Sequence, residues 1–154
     1  GTGTRSDYLL QPEDYPTYLE AGTLNLHGIT SLNAGIEYLN RIGTKTIRKT
    51  NQEYFIHIYD SLSKIKGVNI VGEATLAYRN PIFAFNIDSL SPDDVSYMLE
   101  YSFNIIVRAG LHCAPLIHKY IGTAPEGCVR VSFSHLNSFE DIDTFVRAIH
   151  QITK

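Results

Sequence analysis

The sequence predicts an α/β fold of the α+β type, a small mixed or antiparallel sheet packed with helices. Three observations predict it. Apolar residues recur at steps of three and four before residue 66 and again after residue 138, the spacing of amphipathic helices. Between these stretches lie short runs rich in β-branched and aromatic residues, the composition of strands. Strands interleaved with helices in this way assemble as a sheet with helices layered on it. With 154 residues the chain can bury roughly two thirds of the surface its unfolded form exposes, so such a fold needs no covalent staple.

The elements follow in order. "GTGTRSDYLLQPEDYP" has no apolar period, repeats glycine and proline and lacks an initiator methionine. Residues 1–24 therefore read as a loop segment trailing from something longer, and residues 25–154 as the domain. Ile29, Leu32, Ile36, Leu39 and Ile42 form a helical stripe ended by Gly43, and Ile47, Tyr54, Ile58, Leu62 and Ile65 a longer one stopped by Gly67, with Asn51 interrupting its face. The pair reads as a helical hairpin or a kinked arm. "VNIV" and "IFAFNID" are strands, separated by "GEATLAYRNP" with its turn-forming Asn80-Pro81. Ser91-Pro92-Asp93-Asp94 sets an N-cap serine before proline at the first helical position, and Val95, Met98 and Leu99 supply a buried face, so a helix runs from about 92 to about 101. "NIIV" reads as a strand ending at Arg108, "AGLHCAP" as loop, and the next residues as a short helix carrying Leu116, Tyr120 and Ile121. In "CVRVSFS", Val129, Val131 and Phe133 alternate with Arg130, Ser132 and Ser134, which directs Arg130 away from the apolar face. Ser138-Phe-Glu-Asp141 is a capping box opening a helix with Ile142, Phe145, Val146, Ile149 and Ile152 on one stripe.

Composition narrows the function. A formal net charge of -3 with 19% charged residues supplies no basic surface for nucleic acid. No apolar run is long enough for a membrane span. Two cysteines are too few for a disulfide framework, and with no secretory signal the expected setting is a reducing cytoplasm with free thiols.

Cys113 combines a nearby glycine, an adjacent imidazole in His112 and an arginine five residues upstream, features that suit a nucleophilic thiol, although adjacency in sequence does not fix side-chain geometry. Cys128, opening a strand beside apolar residues, reads as a packed thiol. A metal site would draw on His112, Cys113, His118 and His135, but no Cys-x-x-Cys and no zinc-spaced histidine pair is present, so no metal is expected. His27, His57 and His150 are isolated and read as surface or hydrogen-bonded histidines. Arg108 and Arg130 suit either a guanidinium fork gripping a carboxylate or surface ion pairs. "GTGTRS" offers backbone N–H groups to a phosphate or is merely loop; it has no P-loop lysine.

"EAGTLN" at Glu20 to Asn25 followed by "GITSLNAGIEYL", then "RAGLHCAP", then "GCVRVSFSHLNSFEDID", closely resemble in order and spacing the C-terminal part of class V aminotransferase-fold enzymes, specifically the group II cysteine desulfurases and selenocysteine lyases. The resemblance implies the C-terminal small domain of a fold-type I, pyridoxal-phosphate-dependent homodimer that removes sulfur from cysteine, or selenium from selenocysteine, leaving alanine. It implies that Cys113 is the nucleophile and carries a persulfide, that Arg130 binds the substrate carboxylate, and that Arg108 and His112 stand beside the substrate. It also implies that Gly22 and Thr23 reach across the dimer to the cofactor phosphate, that "GTGT" is the family's glycine-rich loop, and that a sulfur-acceptor protein is a possible partner. The family's cofactor lysine, its aspartate for the pyridine nitrogen and its ring-stacking residue belong to a large domain that would precede Gly1, so this chain alone is expected to be inactive. Leu24 stands where many members carry proline. Other class V reactions (aminotransferases, epimerases, lyases) and a cofactor-free sulfur-carrier domain are the alternative readings.

Overall fold

The computed structural model describes residues 7–20, 22–72 and 79–154. The "GTGT" motif and most of the connection between the first two predicted strands lie outside the described residues. The chain forms two compact units, Gly1–Thr44 and Lys45–Lys154.

In the first unit a single 3-10 turn, Thr17–Leu19, precedes helix α1, Leu26–Ile42. The side chain of Gln11 donates to the carbonyls of Thr17 and Glu20 and closes the segment around that turn. Helix α1 begins three residues before the first residue of its apolar stripe, because the Asn25 side chain accepts the Gly28 N–H at 2.9 Å and caps the free first turn. It ends where glycine was expected to end it. Gly43 takes a φ of +85°, open to glycine at little cost, and its N–H donates to the Leu39 carbonyl.

The second unit holds all but the first residue of α2 (Thr44–Leu62), then β1 (Val68–Val71), β2 (Ile82–Ile87), α3 (Pro92–Phe103), β3 (Arg108–Gly110), α4 (Pro115–Tyr120), β4 (Cys128–Ser132) and α5 (Phe139–Ile152). Its sheet has the order β1-β2-β4-β3 and every pairing is antiparallel. Phe83, Phe85 and Ile87 of β2 and Val129 and Val131 of β4 share one face and are buried, as period-two alternation requires. On them pack Tyr54, Phe55, Ile58 and Leu62 of α2, Val95 and Leu99 of α3, and Ile142, Phe145, Ala148 and Ile149 of α5. Phe55 stacks on Phe83 with ring centroids 4.9 Å apart, and Phe145 meets Phe85 and Phe133 edge-on. Each of these large side chains contributes about 1.5–3 kcal/mol by leaving water. With the helices on one face, the other face of the sheet is left to Ala84, Asn86, Arg108 and Arg130.

Both predicted caps form. Ser91 accepts from the Asp94 N–H, and Ser138 and Asp141 exchange the two bonds of a capping box. Two of the boundaries that differ from the sequence reading trace to particular hydrogen bonds. Helix α2 ends at Leu62 rather than Ile65, since the chain turns through Ile65 N–H to Leu62 O and Val68 N–H to Ile65 O before β1. Strand β3 begins at Arg108 instead of ending there. Asn104, left-handed at φ +57°, closes α3, and the Ile105 N–H returns to the Leu99 carbonyl, so residues 105–107 leave the helix and Ile105 and Val107 pack against the core. Among the described residues no helix is long and apolar enough to cross a membrane.

The close approach of β3 to the loop before β4 depends on one glycine. A Cβ on Gly127 would stand 2.1 Å from the Gly110 carbonyl oxygen, whereas one on Gly122, also at positive φ, would meet nothing within 4 Å. Alanine at either site costs about 1–2 kcal/mol for the left-handed backbone. Gly127→Ala adds overpacking of about 1–3 kcal/mol against main chain. Urea unfolding should therefore show Gly127→Ala as the more destabilised of the two by about that margin, and equal losses would remove the close approach from the account.

Candidate active site

Strand β3 is the edge of the sheet, and it pairs with β4 so that Arg108 lies opposite Arg130, Ala109 opposite Val129 and Gly110 opposite Cys128. Directly opposed residues project from the same face, so two arginine side chains leave the sheet side by side there, an arrangement that like charge disfavours. Neither has an acidic partner among the described residues. Arg130 is half-buried and its Nε is shielded from solvent without a hydrogen-bond partner; Arg108 is exposed. Of the two readings of these arginines, the surface ion pair has no acidic partner among the described residues. Two adjacent guanidinium forks, one with a buried unpaired N–H, are suited to a carboxylate.

Beyond Gly110 the chain makes a tight turn. The Ala114 N–H donates to the Leu111 carbonyl at 2.8 Å, and the central residues, His112 and Cys113, have φ of +50° and +59°. Two left-handed residues closed by such a bond make a turn of the I′ kind, a geometry that favours Asn-Gly. Here both positions carry a Cβ, and each costs about 1–2 kcal/mol. The His112 side chain supplies a restraint. Its Nε2 lies 3.0 Å from the Cys128 carbonyl oxygen, and because a carbonyl only accepts, Nε2 carries the proton and donates. Nδ1 is then the bare nitrogen, shielded from solvent and without a partner. The turn leaves Cys113 exposed and free.

Electrostatics at the site follow from burial and from the two arginines. Burial holds His112 below its ordinary value of 6.5; the hydrogen bond to Cys128 opposes this, and the charges of Arg130, His118 and Arg108 add to it. Cys128, only 1% exposed, has its thiol pushed up by burial, with Arg130 opposing, so it is a packed thiol as its strand position implies.

The burial of His118, named in the sequence only as a possible metal ligand, escaped the sequence reading. Helix α4 was expected to carry an apolar face of Leu116, Tyr120 and Ile121, yet Leu116 is 78% and Tyr120 87% exposed. The residue it buries is His118, at 4%. His118 Nδ1 shares a hydrogen bond of 2.6 Å with Thr123 Oγ1, which makes burial of the ring tolerable. A histidine three residues past the helix-opening Pro115 and five before a threonine was the available signal. The His118 and His112 rings stand 6.0 Å apart between centroids. Among the described residues no group of three or more histidine, cysteine, aspartate or glutamate side chains is placed to hold a metal ion. Of the isolated histidines, His57 bonds Asp143 at 2.7 Å.

Arg108, Arg130, His112 and Cys113 therefore gather where β3 and the turn after it meet β4. Gly22 and Thr23 belong to the first unit, just before α1; Gly22 has φ +80° with open space where a Cβ would stand, and Thr23 is exposed. The six lysines, Lys45, Lys49, Lys64, Lys66, Lys119 and Lys154, are all exposed. A pyridoxal phosphate needs an amine held in a walled site for its covalent anchor, and these lysines do not provide one.

The family model described as Aminotransferase class-V matches residues 4–145, and the chain belongs to that family. Within it the chain is similar to cysteine desulfurases. It is 35% identical over 141 residues to the probable cysteine desulfurase of Methanothermobacter thermautotrophicus, covering 91% of this chain and 35% of that protein. The apo structure of cysteine desulfurase from Thermococcus onnurineus superposes with a TM-score of 0.82 at 33% identity, over 90% of this chain and 34% of that one. The Escherichia coli cysteine desulfurase CsdA, in an S-sulfonic acid form, does so with a TM-score of 0.74 at 26% identity, over 88% and 32%. The chain thus spans about a third of the length of the curated relatives it matches.

Because the folded state holds His112 below its unfolded value, the neutral imidazole's contribution to stability is fully present above the unfolded value of 6.5 and is lost as pH falls through the lowered folded one. The urea midpoint should fall as pH drops from about 7.5 to about 5. His112→Gln, which can still donate to the Cys128 carbonyl without titrating, should lose less over the same range; an identical pH dependence in both proteins would assign the loss to other groups.

Proposed function

We propose that this chain provides the nucleophile and the carboxylate grip of a pyridoxal-phosphate-dependent cysteine desulfurase, with the cofactor's lysine anchor outside these residues. The observation that carries the reading is an exposed Cys113 thiol on a turn that His112 ties to the same strand that bears Arg130. Likeness to cysteine desulfurases over some nine tenths of the chain supports it.

In this reading Arg130, with Arg108 beside it, binds the carboxylate of cysteine through paired N–H donors and fixes the direction of its side chain. The Cys113 thiolate attacks the substrate sulfur. An S–S bond forms as the substrate's Cβ–S bond breaks, the electron pair left at Cβ takes up a proton, and alanine departs. Thiol plus cysteine become persulfide plus alanine, with no external oxidant or reductant. Pyridoxal phosphate supplies the electron sink when bound. Gly22 and Thr23 would contribute a backbone N–H and a hydroxyl to its phosphate from the other subunit of a homodimer. The Cys113 persulfide then passes its sulfur to a thiol acceptor.

Cys113→Ala keeps the Cβ and hence the same backbone preference in the turn. In the full-length protein it should leave cofactor absorbance in place while alanine formation from cysteine falls about 10³-fold or more; unchanged turnover would remove Cys113 from the reaction. Arg130→Lys keeps the charge but loses the fork, and should raise KM for cysteine by about 10-fold or more. An unaltered KM would assign the carboxylate to another group.

A further inference from the structure

The I′-type turn is fastened at two points, one to β4 and one to α4. At its first central residue, His112 donates to the Cys128 carbonyl. At its far end, Ala114 closes the turn through its N–H and accepts the His118 N–H with its carbonyl, so the residue that ends the turn also starts α4. Helix α4 has only six residues and its only buried side chain is His118. A helix this short has no stability of its own, so what His118 binds determines where α4 sits. The His118 ring bonds Thr123, and the His118 carbonyl accepts the N–H groups of Thr123 and Ala124 at 2.9 and 3.1 Å. From there the Gly127 N–H reaches the Thr123 carbonyl at 2.7 Å, and the next residue is Cys128, the acceptor of the His112 bond.

We infer that His118, through its bond to Thr123, is a positioning residue for the thiol of Cys113: it anchors α4 and the loop to β4, and so holds both ends of the turn that presents the nucleophile. His118 itself touches no reacting atom. The inference rests on the proposed role of Cys113 and adds to it a pair of residues whose effect falls on the chemical step. A nucleophile displaced by about 1 Å loses up to about 10²-fold in rate, while substrate binding through Arg130 is untouched.

The test uses the full-length protein and cysteine as substrate. His118→Leu, which keeps bulk and removes the ring nitrogens, should lower kcat by about 10²-fold and leave KM within about threefold. His118→Asn places a polar atom where Nδ1 lay and should recover most of the lost kcat. Thr123→Val, nearly isosteric, should shift kcat in the same direction as His118→Leu and covers the case in which the latter does not fold. Hydrogen exchange of the Ala114 amide should quicken in His118→Leu and Thr123→Val and stay slow in His118→Asn. An unaltered kcat in both variants, a loss confined to KM, no recovery with asparagine, or an unchanged Ala114 amide would overturn the inference. Should Cys113→Ala retain turnover, the reaction assigned to this site fails, and the amide measurement still decides whether His118 holds the turn.

Discussion

The hydrogen bond from His112 Nε2–H to the Cys128 carbonyl is the constraint on which the site rests. Two consecutive left-handed residues with side chains are opposed by the steric cost of each Cβ, and a turn built from histidine and cysteine forms only where its surroundings outweigh that cost. The imidazole's single donor offsets part of it, about 0.5–1.5 kcal/mol. The same bond fixes the tautomer, leaves Nδ1 bare, and sets the ring close enough to both arginines that their charges disfavour its protonation. Geometry and charge state of the turn therefore come from one contact, and the close Gly127–Gly110 approach keeps β3 near enough to β4 for that contact to be made.

The two-layer arrangement explains why this contact falls beside the arginines. Helices α2, α3 and α5 cover one face of the sheet, so alternation along β2 and β4 commits Phe83, Phe85, Val129 and Val131 to the core and Arg130 to the other side. Antiparallel register then sets Arg108 opposite Arg130. Such a like-charged pair does not help the sheet fold. With no acidic neighbour among the described residues, the pair fits the proposed grip on an anionic group, where stability is conceded for recognition.

Much of this was legible in the sequence because it depends on local pattern. The caps at Ser91 and Ser138, the glycine stop at Gly43, the alternation of "CVRVS" and the placement of Cys113 in a connection rather than an element all follow from short-range chemistry, and all are present. What could not be read depends on distant partners. That "RAG" rather than "NIIV" forms the edge strand is decided by the β4 register and by Asn104 closing α3. The burial of His118 in place of Leu116 is decided by Thr123, and no periodicity rule places a histidine on the inner face of a six-residue helix. The opposition of Arg108 and Arg130, twenty-two positions apart, needed the register as well.

The two cysteines show how the fold assigns chemistry to identical side chains. Cys128 lies within β4, its thiol buried and pushed away from ionisation, while its carbonyl serves the turn. Cys113 sits one residue beyond the imidazole that uses that carbonyl, on the solvent side of the turn. A strand position holds a side chain against its neighbours and allows it little travel; a tied turn fixes the backbone and leaves the side chain free to rotate toward a bound molecule. In the proposed reaction the thiol takes a sulfur atom and later surrenders it, which calls for exposure in both encounters and a fixed backbone in the first. Of the two positions, only the turn meets both requirements. The sequence "HCAP" is thus fitted to its place in a specific physical sense: histidine ties the turn, cysteine occupies its outer position, alanine closes it, and proline, with φ already helical, starts the helix that holds its far end.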